Sequence, residues 1–160
     1  GGIAKGYIAD RIKDYWRSFG ITNGIINLGG NLLFVGPSPR RADGRWVIGI
    51  QDPQKPRGVD LKQVLMPECS AVTSGTYERQ LVQNGHHYHH LLDPQTGRPR
   101  KTKVASVTIF TKQSVVGEIE AKRLFFAGQP IPGWGLGRSD LLGAMFIYQD
   151  GQSEFVDCRP

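Results

Sequence analysis

Apolar positions define the first element of the chain. Ile8, Ile12, Trp16 and Phe19 recur at spacings of four, four and three residues, which places them on one face of an α-helix. Asp10, Arg11, Lys13, Asp14 and Arg17 then fall on the other side, and Gly20 supplies a C-terminal stop. Short apolar runs predict strands at 25–27, 32–35, 45–50, 59–65 and 69–73. Between the first two lies Leu28-Gly29-Gly30-Asn31, a glycine pair that points to positive φ or close backbone approach. Asn84-Gly85 is a hairpin signal flanked by 79–83 and 86–92, and residues 104–110 alternate as a strand. A second helix is predicted over 114–127, with Ser114 as N-cap, Gly117 as a weak point and Gly128 as the stop. Residues 130–139 form a loop rich in glycine and proline, and a last hairpin pairs 144–148 with 154–157 across Asp150-Gly151. Strands dominate and the hairpins imply antiparallel pairing. The predicted class is therefore α+β, a largely antiparallel sheet packed against a few helices, in one domain spanning 1–160.

Composition narrows the picture a little. With 39% hydrophobic and 21% charged residues the chain has the makeup of a globular protein and not of a disordered tail. No apolar run approaches the length of a membrane span. The chain opens at Gly1-Gly2-Ile3 without an initiator Met, as a processed or cut chain does. A net charge of +6 fits either dispersed surface lysines and arginines or a cationic cleft for a phosphate-bearing ligand. No basic run is interleaved with aromatics, so a nucleic-acid partner is not expected. Cys69 and Cys158 form no CxxC pair, which leaves a long-range disulfide or, the reading we favour, two buried free thiols.

Four segments could carry chemistry. Gly1-Gly2-Ile3-Ala4-Lys5-Gly6-Tyr7 runs into a helix N-terminus, where exposed amides, the helix dipole and Lys5 suit an anion; a plain loop-to-helix turn is the alternative. Asn27-Leu28-Gly29-Gly30-Asn31 opens a strand instead of a helix, which disfavours a dinucleotide fingerprint. Val72-Thr73-Ser74-Gly75-Thr76-Tyr77-Glu78-Arg79 offers hydroxyls around a glycine, an aromatic for stacking and an arginine for an acid, but lacks the second glycine of a nucleophilic serine elbow. All four histidines fall in His86-His87-Tyr88-His89-His90, ahead of Leu91-Leu92-Asp93-Pro94-Gln95-Thr96-Gly97. On a strand His87 and His89 share a face and could ligate zinc, but no third ligand follows, and one histidine acting as a base beside Asp93 is the preferred reading.

Taken in order, these segments resemble the FAD:protein FMN transferases, the ApbE family. The opening lysine-glycine-tyrosine, Ile26-Asn27-Leu28-Gly29-Gly30, Trp46 to Ile50 with Asp52-Pro53, and Val72-Thr73-Ser74-Gly75 with Tyr77 and Arg79 are all similar to its motifs. His90-Leu91-Leu92-Asp93-Pro94-Gln95-Thr96-Gly97-Arg98-Pro99 matches its most specific signature, and Ser106-Val107-Thr108 matches its next strand. The resemblance implies that FAD is cleaved at its pyrophosphate with a magnesium ion, leaving FMN joined through phosphate to a threonine or serine of an acceptor protein. It implies His90 as the base that deprotonates that hydroxyl, Lys5 and the backbone of Leu92 as flavin-nucleotide contacts, and Ser74, Gly75 and Tyr77 as pocket lining. It also puts Gly2 where the family offers a carbonyl to the metal.

The resemblance carries two departures. Glu118 stands where the family has a metal-binding aspartate, and Lys122 stands where it has a metal-binding threonine. Spaced i,i+4 on a helix, the two are expected to form an ion pair, so magnesium is expected to bind weakly or not at all. The family's N-terminal portion has no counterpart in the chain, so a further segment, a partner chain or a second copy would complete the cleft. A flavin-binding or scaffold relative without transferase activity is therefore the alternative to the enzyme, with a basic binding module as a third reading. The family's habit of export and lipid anchoring makes an extracytoplasmic, membrane-associated lipoprotein the expectation for the full-length protein.

Overall fold

The computed structural model describes residues 2–77, 80–83 and 85–159. Its elements in chain order are α1 (Ala4–Ser18), β1 (Gly24–Asn27), β2 (Asn31–Val35), β3 (Trp46–Gln51), β4 (Asp60–Met66), β5 (Ser70–Gly75), β6 (Gln80–Gln83), β7 (His86–His89), β8 (Val104–Thr111), α2 (Ser114–Ala127), β9 (Leu141–Tyr148) and β10 (Ser153–Asp157). Six strands form one antiparallel sheet in the order β1-β2-β5-β8-β9-β10, and β3-β4 and β6-β7 are separate two-stranded ribbons. The class expected from the apolar pattern is the class observed.

The central strand β8 is buried at all eight positions, because both faces of the sheet are covered. On one face Val72, Val107 and Ile109 pack against Ala121, Leu124 and Phe125 of α2. On the other, Phe34, Ala71, Phe110 and Met145 pack against Trp46, Ile48, Ile50 and Met66 of the β3-β4 ribbon. The alternation of side chains along a strand makes this possible, since adjacent residues serve opposite layers. A third cluster joins Ala9 of α1 to Ile26, Leu33 and Val35.

Helix α1 forms where expected but turns a different face inward. Gly6 and Ala9 are its buried positions, with Ile12 and Trp16 packed beside them, while Ile8 and Phe19 are exposed. The inward stripe also takes Asp10 and Lys13, two residues the apolar period places outside. Lys13 reaches Glu68 at 2.7 Å. The carboxylate of Asp10 accepts hydrogen bonds from the amides of Ser114 (2.8 Å) and Val115 (3.0 Å), the first residues of α2. Asp10 thus caps α2 from another helix, and the local cap expected at Ser114 is replaced: Ser114 is already helical, and Gln113 at the N-cap makes no side-chain capping bond. This arrangement answers the unsatisfied amides and the positive end of the helix dipole at once.

Two glycines allow the close packing. A Cβ on Gly6 would lie 2.6 Å from the Ser114 carbonyl oxygen and 2.7 Å from Val115 Cα, so only glycine admits the α1-α2 approach. Gly117, read from sequence as a weak point of α2, is a contact point instead, since a Cβ there would meet Val72 Cγ2 at 2.6 Å. Both cysteines are free thiols; Cys69 is buried as expected, while Cys158 is half-buried. Burial pushes the Cys69 thiol up to about 12. The turn expected at Asn84-Gly85 lies partly outside the described residues, at Asn84, but its two arms, β6 and β7, pair antiparallel.

Two substitutions test this account. Gly6→Ala forces a backbone-backbone overlap and is expected to cost about 1–3 kcal/mol, read as a lowered urea midpoint. Asp10→Ala removes the cap of α2 and is expected to cost about 1–2 kcal/mol. Unchanged midpoints in both variants would show that the helix contact is not what holds α2 in place.

Candidate functional site

One end of the sheet gathers most of the residues singled out above. Strands β2 and β5 run antiparallel, so the start of β2 lies beside the end of β5: Asn31 faces Val72, and the Thr73 amide donates to the Gly30 carbonyl at 2.8 Å. Gly29 and Gly30 form the two-residue turn between β1 and β2, with φ of 67° and 69°. Left-handed backbone at both positions is what such a tight hairpin demands, and glycine adopts it without strain. The Lys5 ammonium, from the first turn of α1, donates to the Gly29 carbonyl at 2.6 Å. Lys5 therefore ties the N-terminus of α1 to the glycine turn.

Below that turn lies a buried polar chain. Ser70 Oγ donates to Ser114 Oγ at 2.9 Å, Ser114 Oγ donates to Asn31 Oδ1 at 2.9 Å, and Asn31 Nδ2 donates to Glu118 Oε1 at 2.9 Å. The other carboxylate oxygen of Glu118 accepts from Lys122 Nζ at 2.8 Å, and Lys122 also donates to the Glu118 carbonyl at 3.1 Å. Because α1 and α2 run antiparallel, the side chain of Lys122 reaches Gly2: its Cε lies 3.5 Å from where a Cβ on Gly2 would be. The structure thus brings Gly2, Glu118 and Lys122 together. The ion pair expected from their i,i+4 spacing is present.

This donor set does not suit a divalent ion. Magnesium asks for free oxygen ligands in near-octahedral geometry. Both oxygens of Glu118 are already bonded, one of them to an ammonium that carries its own positive charge and no lone pair. Among the described residues no group of three His, Cys, Asp or Glu side chains converges on a point.

The remaining predicted residues occupy the neighbouring strand end. Ser74 and Gly75 are buried in β5, opposite Val107 and Ser106 of β8. Gly75 lets the Tyr77 ring fold back on the strand, since a Cβ there would lie 2.8 Å from Tyr77 Cε1. Tyr77 lines a cleft of about 170 Å³ between the sheet and the β3-β4 ribbon, with Gly30, Thr73 and Thr108, and a second of about 370 Å³ with Lys55 and Arg57. Glu78 and Arg79 lie outside the described residues.

His90 is exposed at the bend that follows β7, and lines none of the three clefts described here. Its neighbour His89 is committed: the Leu91 amide donates to His89 Nδ1 at 3.3 Å, and Nε2 lies 3.1 Å from the Arg100 carbonyl. An accepting Nδ1 leaves the proton on Nε2, which fixes one neutral tautomer. The side chains of His86 and His87 lie outside the described set, and with them any pair of His87 with His89. Leu92 is half-exposed and bridges Pro99, and the signature turn is held by its own bonds. Asp93 Oδ1 accepts from the Gln95 amide at 2.9 Å, its backbone pairs with Arg98 and Gly97, and Oδ2 meets Arg100 at 3.2 Å. Asp93 therefore organises the loop that follows His90. The loop walls a third, basic cleft of about 930 Å³, lined by His89, Arg98, Arg100 and Lys101 among others.

Sequence reasoning missed Asn31, which it took only as the residue after a glycine pair. The signal was present, since Asn31 opens an apolar strand as its single polar member.

An α+β sheet that gathers a glycine turn, two lysines and a hydroxyl-rich strand end at one edge offers the cationic and hydroxyl groups that a phosphate-bearing ligand takes. The comparisons give the family: the profile of the ApbE family matches residues 1–134, and the chain belongs to that family. An FAD:protein FMN transferase of Klebsiella pneumoniae (strain 342) is 40% identical over 128 residues, which are 80% of this chain and 38% of that protein. Another, from Treponema pallidum (strain Nichols), is 36% identical over 160 residues, covering 94% of this chain and 43% of that one. The crystal structure of the ApbE protein of Thermotoga maritima superposes with a TM-score of 0.81 at 31% identity, over 96% of this chain and 49% of that one. The apo flavinyl transferase ApbE of Pseudomonas stutzeri gives 0.66 at 30% identity, over 97% and 46%. The chain spans less than half the length of each of these relatives.

The buried polar chain makes its own prediction. Asn31→Leu leaves Glu118 Oε1 and the Ser114 hydroxyl without their partner, and is expected to lower stability by about 1–3 kcal/mol in chemical denaturation. Loss of less than experimental error would mean that the chain is not a closed hydrogen-bonded unit.

Proposed function

We propose that the protein binds FAD and transfers FMN to a threonine or serine hydroxyl of an acceptor protein. The observation that carries this reading is the meeting, at one sheet end, of Gly2, Lys5, the Gly29-Gly30 turn, Glu118 and Lys122. These positions are far apart in sequence; Gly2, Lys5 and the glycine pair stand in motifs that resemble the family's, and Glu118 and Lys122 stand where the resemblance puts its metal ligands. In this reading Lys5 and Lys122 supply positive charge to a phosphate-bearing ligand, and Tyr77 gives an aromatic face in the cleft below the glycine turn. The acceptor hydroxyl loses its proton to His90, and its oxygen forms a new bond to the phosphorus of the FMN moiety. The bond from that phosphorus to the bridging oxygen breaks, and AMP leaves with the electron pair.

The family partners complete the reading. The rest of the cleft comes from a further segment, a partner chain or a second copy, since each relative that carries the activity in its name is more than twice as long as the stretch matched. By family resemblance the full-length protein works as a lipoprotein at the outer face of a membrane; among the described residues no helix is long and apolar enough to cross one. A second reading, a flavin-binding relative without transfer chemistry, is favoured by the Lys122-Glu118 pair alone.

The test is transfer itself. With the full-length protein, FAD and a threonine-bearing acceptor, a covalent flavin on the acceptor is expected, read by mass spectrometry and in-gel fluorescence. His90→Ala is expected to slow transfer by roughly 10²–10⁴, with FAD affinity retained. Transfer at the unsubstituted rate would remove His90 from the mechanism, and retained FAD without any transfer would establish the second reading.

A further inference from the structure

Lys122 is placed with unusual definiteness for a lysine. Its ammonium has three N–H donors, and two are used within its own helical turn, on Glu118 Oε2 at 2.8 Å and on the Glu118 carbonyl at 3.1 Å. Glu118 is fixed in turn by Asn31, which Ser114 and Ser70 hold from below. The Glu118 side chain keeps only 9% of its exposure, whereas Lys122 keeps 33%. The carboxylate is thus the buried end of the pair and the ammonium the outward end. The lysine stem lies against Gly2, so the outward end faces the start of α1, the side from which Lys5 reaches the glycine turn. A buried, pinned carboxylate with an ammonium on top is a dipole whose positive end points at the candidate site.

We propose that Lys122 is the resident cation of this site, so that the protein holds the phosphate of its flavin nucleotide without a divalent ion; this rests on the flavin reading above. Three physical points carry it. The third N–H of the ammonium is available for a phosphate oxygen, a charge-assisted contact of the stronger kind. A divalent ion placed on Glu118 would have to compete with Asn31 and Lys122 for the carboxylate and sit beside an ammonium, where like charges repel. The network below Glu118 is complete, with no buried polar side-chain atom lacking a partner among the described residues, so no donor waits for an ion. The substitution carries a cost that follows from charge alone. A carboxylate with a dication would present a net +1, while Glu118 with Lys122 presents a neutral pair, so Lys5 becomes the larger source of net attraction.

The experiment separates this proposal from the flavin reading. Magnesium chloride is titrated calorimetrically into the protein without nucleotide, for the unsubstituted chain, Lys122→Thr and Lys122→Arg. No magnesium site is expected in the unsubstituted chain or in Lys122→Arg, and one is expected in Lys122→Thr, which frees Glu118 and adds a hydroxyl oxygen. FAD is then titrated by flavin fluorescence, in EDTA and in magnesium. The affinity of the unsubstituted protein is expected to be the same in both. Lys122→Thr is expected to weaken FAD binding in EDTA by roughly tenfold to a hundredfold, with recovery in magnesium, while Lys122→Arg keeps its affinity in either medium. Magnesium binding by the unsubstituted chain, or FAD binding that tightens with magnesium, would overturn the proposal whether or not the threonine variant folds. Failure of FAD to bind in every condition would instead overturn the flavin reading, and the nucleotide-free titration would still decide the status of Lys122.

Discussion

The contact between the start of α2 and the middle of α1 is the constraint on which the site depends. Asp10 and Ser114 are 104 residues apart in sequence, yet one carboxylate satisfies the first two amides of α2. The glycine at position 6 allows backbone to lie on backbone at that point. With the helix start pinned, Ser114 meets Ser70 and Asn31, Glu118 falls one turn further along, and Lys122 one turn beyond that. Each later placement is a consequence of helical spacing from a fixed origin. Without that origin α2 would still bury Ala121, Leu124 and Phe125, but apolar packing is not directional and would tolerate rotation or sliding of the helix.

Most of the secondary structure was legible because it rests on local rules. The period of the apolar residues found α1, a glycine stop bounded α2, and the Asn-Gly and Asp-Gly turns found the β6-β7 and β9-β10 hairpins. Failures came where a tertiary partner competed with a local one. Ser114 has the chemistry of an N-cap, but Asp10 supplies a charged acceptor to the same amides and releases the serine hydroxyl to the buried polar chain. Ile8 and Phe19 belong to the apolar period of α1, yet the helix is turned by what Gly6 and Ala9 permit. Small residues score weakly in any hydrophobic pattern, although they set the closest approaches.

The site was legible to a different depth. Its motifs appear in sequence as separate islands, and only the antiparallel run of β2 beside β5, and of α1 beside α2, assembles them. The Glu118-Lys122 pair could be read directly, since four residues on a helix is a spatial statement. The commitment of Glu118 to Asn31 could not, because those residues are 87 apart. His90 shows the limit from the other side: its motif is specific, but Asp93, Gly97 and Arg100 spend their bonds on the turn itself, and sequence cannot say which residues of a signature shape a loop and which act from it.

The strand order has a consequence for how the chain reaches this structure. Within the six-stranded sheet only β1-β2 and β9-β10 are made by neighbours in sequence; β2-β5, β5-β8 and β8-β9 each close across a long intervening stretch. The pairing of Thr73 with Thr108, for example, spans 35 residues. Chain entropy is lost at each closure before the contacts on either side can repay it, so the central strand cannot assemble by local zipping. Folding of this protein should therefore be slow for its size, with helices and outer hairpins forming early and the edge that carries the candidate site completed only when β5 and β8 have found each other.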